Sequence, residues 1–217
     1  MYLSKRLKAI ASFVGDNTKV IDVGCDHALL DIYLLFNRKN ISCVAIDSNI
    51  NALKGAIQNI KKYNMEDRIT LMHNDGLSNI QINKTDTIVI SGLGSYTIIN
   101  ILTKANLDNA NNIIIQSNNE LYMLRKSMSK LGYMIEDEKV IFEKGMYYVI
   151  IRFLKGKAKY SFMDYYLGPK IRKQNNDYVN YMTSVKQDII KNLPKKYIFT
   201  HIKNRVMIYL LKKELSN

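Results

Sequence analysis

Lys19-Val20-Ile21-Asp22-Val23-Gly24-Cys25-Asp26-His27-Ala28-Leu29-Leu30 is the stretch that decides how the rest of the chain is read. Lys19–Val23 is a short apolar run stopped by a glycine, as expected of a buried strand. The strongly apolar residues 28–36 behind it read as a buried helix. Upstream, Leu3, Leu7, Ile10, Ala11 and Val14 recur at helical spacing, so an amphipathic helix opens the chain. Downstream the strand–helix unit repeats. Residues 42–47, 69–75, 85–91 and 111–117 are strand-like. Stripes through Ile50, Leu53, Ile57 and Ile60, through Ile98, Ile101 and Leu102, and through Leu121, Leu124 and Met128 mark helices. Strands separated by such helices imply right-handed crossovers and a mostly parallel sheet with helices on both faces.

The pattern then changes. Residues 134–142 and 146–154 are strand-like runs separated only by Glu143-Lys144-Gly145. A loop that short forbids a parallel crossover and predicts an antiparallel hairpin. The expected fold is therefore α/β, a seven-stranded sheet whose last strand is antiparallel. Residues 155–160 (KGKAKY) form a charged linker. Beyond it, Ile171, Tyr178, Met182, Val185 and Ile189 repeat at about 3.5 residues, and after Leu193-Pro194 the stripe resumes at Phe199, Ile202, Val206 and Tyr209. This predicts a coiled-coil-like antiparallel helical hairpin, with domains at 1–156 and 157–217. The stripe can be satisfied within the hairpin, so a monomer is expected.

With 217 residues, 47% hydrophobic and 24% charged, the composition is that of a globular protein and excludes disordered and collagen-like classes. No apolar run approaches the roughly 18 residues of a membrane span, and the N-terminal segment mixes charged with apolar residues, unlike a secretory signal. Cys25 and Cys43 have no zinc spacing and form no disulfide framework. A cytoplasmic protein without membrane or metal partners is expected. The net charge of +13 is unevenly spread: residues 155–217 hold 14 Lys/Arg against 4 Asp/Glu, residues 1–154 hold 18 against 15. A merely lysine-rich composition would load both segments and does not explain the missing acids in the second. A basic appendage on a near-neutral body suits a nucleic-acid partner.

Ligands of open α/β sheets bind beyond the carboxyl ends of the strands. The first strand runs into Asp22-Val23-Gly24-Cys25-Asp26-His27, where the dinucleotide fingerprint G-x-G-x-x-G is absent. Asp26 beside a pyrophosphate would set two anions together, so nicotinamide and flavin dinucleotides are disfavoured. Asp47 ends the second strand, where it suits two ribose hydroxyls. Asp75-Gly76 ends the third, and Ser91-Gly92-Leu93-Gly94-Ser95 follows the fourth. That order fits S-adenosyl-L-methionine: ammonium and sulfonium by Asp22 and Asp26, ribose on Asp47, adenine by Asp75. The expected cofactor contacts are Asp22, Gly24, Cys25, Asp26, His27, Asp47, Ser48, Asp75, Gly76, Ser91 and Gly92.

The chain resembles the bacterial tRNA (adenine-22, N1)-methyltransferases, a Rossmann-like family. The resemblance rests on Leu3-Ser4-x-Arg6-Leu7 and Asp22-x-Gly24-x-Asp26-His27-Ala28-x-Leu30. It continues through Ser91-Gly92-Leu93-Gly94, Ile115-Gln116-Ser117-Asn118 and Leu167-Gly168-Pro169. Three positions depart from the family's usual pattern: Ser95 replaces a glycine, and Asp31 and Ser117 stand where proline is frequent. The resemblance implies methyl transfer to N1 of an adenine in tRNA, with Asp26 and His27 as the pocket groups nearest the transfer. Lys5, Arg6 and Lys8 on the first helix, and Lys170, Arg172, Lys173, Lys195, Lys196, Lys203 and Arg205 in the appendage, are the expected RNA contacts. Tyr160, Tyr165, Tyr166 and Tyr181 are candidates for stacking on bases, whereas Tyr178 falls on the apolar stripe. Three other readings stay open: the same fold acting on another RNA, a non-catalytic tRNA-binding module, and a coiled-coil dimerisation module.

Overall fold

The computed structural model describes residues 1–171, 180–185, 187 and 209. The chain forms α1 (Lys5–Ala11), β1 (Lys19–Val23), α2 (Leu29–Asn37), β2 (Ser42–Asp47), α3 (Ile50–Lys62), β3 (Ile69–His73) and β4 (Thr87–Leu93). It continues through α4 (Ser95–Lys104), β5 (Asn112–Ser117), α5 (Leu121–Lys130), β6 (Tyr133–Glu143), β7 (Met146–Lys155) and α6 (Phe162–Leu167). The strands make one sheet in the order β3-β2-β1-β4-β5-β7-β6. The first five pair in parallel, and β7 inserts antiparallel between β5 and β6. Strand order reverses at β1/β4, which opens a crevice above their carboxyl ends.

Alternation along each strand divides the core. On one face Ile21, Ile88, Ile90, Ile113 and Ile115 pack under Ile98 and Leu102 of α4 and Leu124 and Met128 of α5. On the other, Val20, Cys43, Ala45, Val89 and Ile114 meet Ile10 of α1, Ile32 and Leu34 of α2, and Leu53 and Ile60 of α3. Consecutive residues of β4 and β5 serve opposite faces, so both strands read as unbroken apolar runs.

Two boundaries move for local reasons. Strand β3 stops at His73, because the Asn74 amide turns back to donate to the carbonyls of Gly76 and Ser78 at 3.1 and 2.9 Å. Strand β4 runs on to Leu93, with its register slipping between Ser91 and Leu93 and Gly92 at φ +79°.

Helix α6 lies in a stretch where no helix was expected. Ser161 and Asp164 cap it reciprocally, each side chain accepting from the other's backbone N–H. Behind it sits a buried ion pair: Arg125 Nε donates to Glu138 Oε1 at 2.7 Å with both side chains sealed from solvent. Arg125 Nη1 also donates to the Tyr165 and Tyr166 carbonyls, and Glu138 Oε2 accepts from Lys170 N. The pair thus pins the Leu167-Gly168-Pro169 segment to the sheet, and Leu167, Ile171 and Met182 join the core beneath it. The expected helical hairpin is described only at residues 180–185, 187 and 209. Arg172, Lys173, Tyr178, Lys195, Lys196, Lys203 and Arg205 lie outside the described residues.

Candidate active site

The crevice holds a cavity of about 460 Å³. All eleven residues expected around the cofactor line it: Asp22, Gly24, Cys25, Asp26, His27, Asp47, Ser48, Asp75, Gly76, Ser91 and Gly92. They come from the carboxyl ends of four adjacent parallel strands, which is why residues up to 70 positions apart share one wall.

The loop after β1 is held by β2. Gly24 N and Cys25 N both donate to Ile46 O, at 2.8 and 3.0 Å, and Asp26 N donates to Asp47 Oδ2 at 3.0 Å. The other Asp47 oxygen accepts from Asn49 N at 2.8 Å. Asp47 is therefore a fixed carboxylate with its remaining lone pairs available toward the cavity. Gly24, Asp26 and Ala28 all have φ between +51° and +77°, so a left-handed turn throws the Asp26 and His27 side chains outward. His27 lies over α3 on Gly55, where a Cβ would come within 2.2 Å of His27 Nδ1. Its Nε2 stands 3.7 Å from Asp26 Oδ1, and its carbonyl accepts from Asn59 Nδ2. Both side chains thus stand on the β2–α3 side of the cavity.

Asp22 forms the floor. It is buried and its Oδ1 has no hydrogen-bond partner, while the fully buried Asp31 of α2 lies against it with both oxygens unpartnered. Burial, reinforced for Asp22 by the Asp31 charge, holds both carboxyls well above the usual range. Two carboxyls side by side in a dry site disfavour a second negative charge, so the neighbour makes Asp22 harder still to ionise. Burial also pushes the Cys25 and Cys43 thiols up, and the nearby Asp22 and Asp31 charges add to it; both cysteines are free.

The opposite wall, Ser91 to Leu93, is held from behind by amides. Gln116 Oε1 accepts from Gly92 N at 3.1 Å and from Arg6 Nη1 at 3.0 Å, and Gln116 Nε2 donates to Asn118 Oδ1. Asn118 Nδ2 donates to Gly92 O at 2.7 Å. Arg6, expected to touch RNA phosphate near the mouth of the site, lines the cavity, half-buried, with its guanidinium 5.4 Å from the centre of the Tyr148 ring. The N-terminus of α1 is clamped by Glu143, which accepts from Lys5 N and Arg6 N. The Lys5, Lys8 and Lys170 side chains are exposed away from the cavity.

Sequence reasoning missed Asn74, Thr97, Asn100 and Ile101 as lining residues. The last three were legible only as one face of α4, without a sign that this face turns toward the crevice. Among the described residues no cluster of His, Cys, Asp and Glu could hold a metal, and no helix is long and apolar enough to cross a membrane.

The sequence profile described as a methyltransferase domain matches residues 3–151. The chain belongs to the methyltransferase domain family. It is 29% identical over 151 residues to the tRNA (adenine(22)-N(1))-methyltransferase of Bacillus subtilis, a match covering 69% of this chain and 63% of that protein. The matched stretch thus spans under two thirds of that relative's length. Among solved structures, this methyltransferase domain resembles TrmK of M. capricolum, solved with the cofactor product S-adenosyl-homocysteine. That likeness has a TM-score of 0.87 at 28% identity and covers 100% of this chain and 99% of that one. It is also similar to a Streptococcus pneumoniae protein solved in complex with S-adenosyl-L-methionine (TM-score 0.88, 28% identity, 99% and 100% covered).

Proposed function

We propose that this methyltransferase domain transfers a methyl group from S-adenosyl-L-methionine to N1 of an adenine in tRNA, position 22 by likeness to the B. subtilis enzyme. The observation that carries the reading is the acidic crevice itself. Asp22, Asp26, Asp47 and Asp75 ring a single cavity at the strand-order switch. Such a ring repels a pyrophosphate and attracts a ligand bearing ammonium, sulfonium and ribose hydroxyls. The partnerless buried oxygen of Asp22 suits the ammonium, and the fixed Asp47 carboxylate suits the ribose diol.

When bound, S-adenosylmethionine supplies the electrophilic methyl group. N1 of neutral adenine carries a free lone pair, so no residue need remove a proton before attack, and the chain's task is to position. Asp22, Asp26, His27 and Asp47 hold the cofactor side. The Ser91–Gly92 backbone, fixed by Gln116 and Asn118, presents carbonyls to the target base and to the positive charge it gains. Arg6, steered by Gln116 and Tyr148, suits the phosphate of the incoming nucleotide. N1 lies on the pairing edge, so a paired adenine must first leave its helix. Lys5, Lys170, Arg172, Lys173, Lys195, Lys196, Lys203 and Arg205 grip the tRNA body through its phosphates, and the reaction takes place in the cytoplasm.

The test incubates the protein with labelled S-adenosylmethionine and an unmodified tRNA transcript, then analyses the nucleosides. Label in 1-methyladenosine, lost when the target adenine is replaced by guanine, supports the reading. Label in another nucleoside, or none, contradicts it.

A further inference from the structure

A second cavity of about 550 Å³ lies past the carboxyl end of β5. Its walls are Asn118 and Asn119 from the loop before α5, Tyr122 of α5, Tyr147 of β7, Tyr166 of α6 and Tyr181. The two cavities share a thin partition. Asn118 N donates to Leu93 O at 2.9 Å and Asn118 Nδ2 to Gly92 O, and Gly92 and Leu93 line the first cavity. The second opening therefore lies beside the Ser91–Gly92 turn.

The lining is selective. Four phenol rings, on α5, β7, α6 and at residue 181, line the space. They extend outward through Phe162, which stacks at 6.0 Å on Tyr166 and lies 5.5 Å from Tyr122. Tyr147 and Tyr181 meet 5.8 Å apart on another side. Beside the apolar Leu121, Val149, Leu167, Met182 and Val185, these rings and the Asn118 and Asn119 amides give the cavity flat faces and polar edges. Glu120, exposed at the rim with φ 48°, brings a carboxylate. A carboxylate repels phosphate and accepts from an exocyclic amine, so the site suits a base rather than the backbone. Burial, with the Glu120 charge adding to it, pushes the Tyr166 phenol up and keeps it a donor.

We propose that this second cavity is a subsite for an amine-bearing nucleobase of the RNA next to the target adenine, stacked on Tyr122 and Tyr166 with its polar edge at Asn119 and Glu120. The inference rests on the reading of the chain as an RNA methyltransferase, and its test separates the two. Methyl transfer to an unmodified tRNA transcript is followed for the wild type, Tyr122→Ala, Tyr122→Phe and Glu120→Gln, with S-adenosylmethionine affinity and thermal midpoint as controls. Loss of one stacked base predicts a roughly tenfold or greater rise in KM for tRNA in Tyr122→Ala. Cofactor affinity should hold, and Tyr122→Phe should recover most of the loss because the ring remains. Glu120→Gln should raise KM by a smaller factor. A transcript carrying 2-aminopurine beside the target should lose fluorescence on binding the wild type, and less of it with Tyr122→Ala. A wild type that methylates tRNA while Tyr122→Ala matches its KM and its quenching overturns the subsite alone. Equal loss in Tyr122→Phe and Tyr122→Ala also overturns it, because the ring would then not matter. A wild type that methylates no RNA removes both this proposal and the reading beneath it.

Discussion

Asp47 illustrates how one side chain serves loop and ligand together. Its carboxylate ties down the backbone of Asp26 and Asn49, and the same oxygens face the cavity. Asp47→Ala should weaken S-adenosylmethionine binding roughly ten- to a hundredfold, the worth of losing charged hydrogen bonds, as read by titration calorimetry. The Asp22–Asp31 pair makes a different prediction. Folded-state pKa values raised above the ordinary carboxylate range mean that the folded protein holds a proton the unfolded chain releases. The associated stability is present at low pH and is lost as pH rises through the carboxylate range toward neutrality. Asp31→Asn lessens this slope, leaving only what the burial of Asp22 contributes, so its urea midpoint should rise relative to wild type at about pH 8 and less at about pH 5. The four carboxylates were legible because each lies at or just beyond the carboxyl end of a strand. Asp31 was not: inside an apolar helix nothing in the local pattern says that its side chain points at Asp22. Gly55 was equally silent, since its lack of a Cβ matters only to His27, 28 positions earlier in the chain.

At the level of elements, period and loop length located every strand within about two residues, because each strand lies between turn residues and feeds a buried sheet. The short loop expected at 143–145, which is the two residues Lys144-Gly145 once Glu143 pairs with Met146, fixed the antiparallel hairpin in the same way. The exceptions are set by side chains from elsewhere. Strand β4 extends to Leu93 because amides of β5 and the following loop, Gln116 and Asn118, hold its last turn. Gln116→Ala removes acceptors for Gly92 N and Arg6 together. It should lower kcat at least about tenfold while cofactor affinity changes by less than about threefold, because the cradle of Asp22, Asp26 and Asp47 is untouched. An equal loss in both would mean that the amide wall holds the cofactor instead. Helix α6 was missed because its six residues are too few for a periodic signal; its capping box was the one available sign.

For the whole molecule, the buried Arg125–Glu138 pair fastens the segment that leads into the basic C-terminal region. The charge imbalance was readable from composition, whereas this fastening was not, since Arg125 and Glu138 look like ordinary surface residues of a helix and a strand. Leu167, Ile171 and Met182 belong to the sheet's core, so a truncation that tests division of labour should spare them. Removing residues 186–217 should abolish transfer to tRNA while leaving cofactor affinity within about twofold. Tight tRNA binding by the full chain should fall steeply with salt, as expected of affinity drawn from phosphates.

The central claim is that the crevice above Gly24 is built for a positively charged nucleoside and not for a dinucleotide. Titration calorimetry of the full chain with S-adenosyl-L-methionine, and separately with NAD, tests it most directly. The account predicts saturable one-to-one binding of S-adenosyl-L-methionine, weakened in Asp47→Ala, and no heat from NAD. Saturable binding of NAD, or none of S-adenosyl-L-methionine by the folded protein, would contradict it.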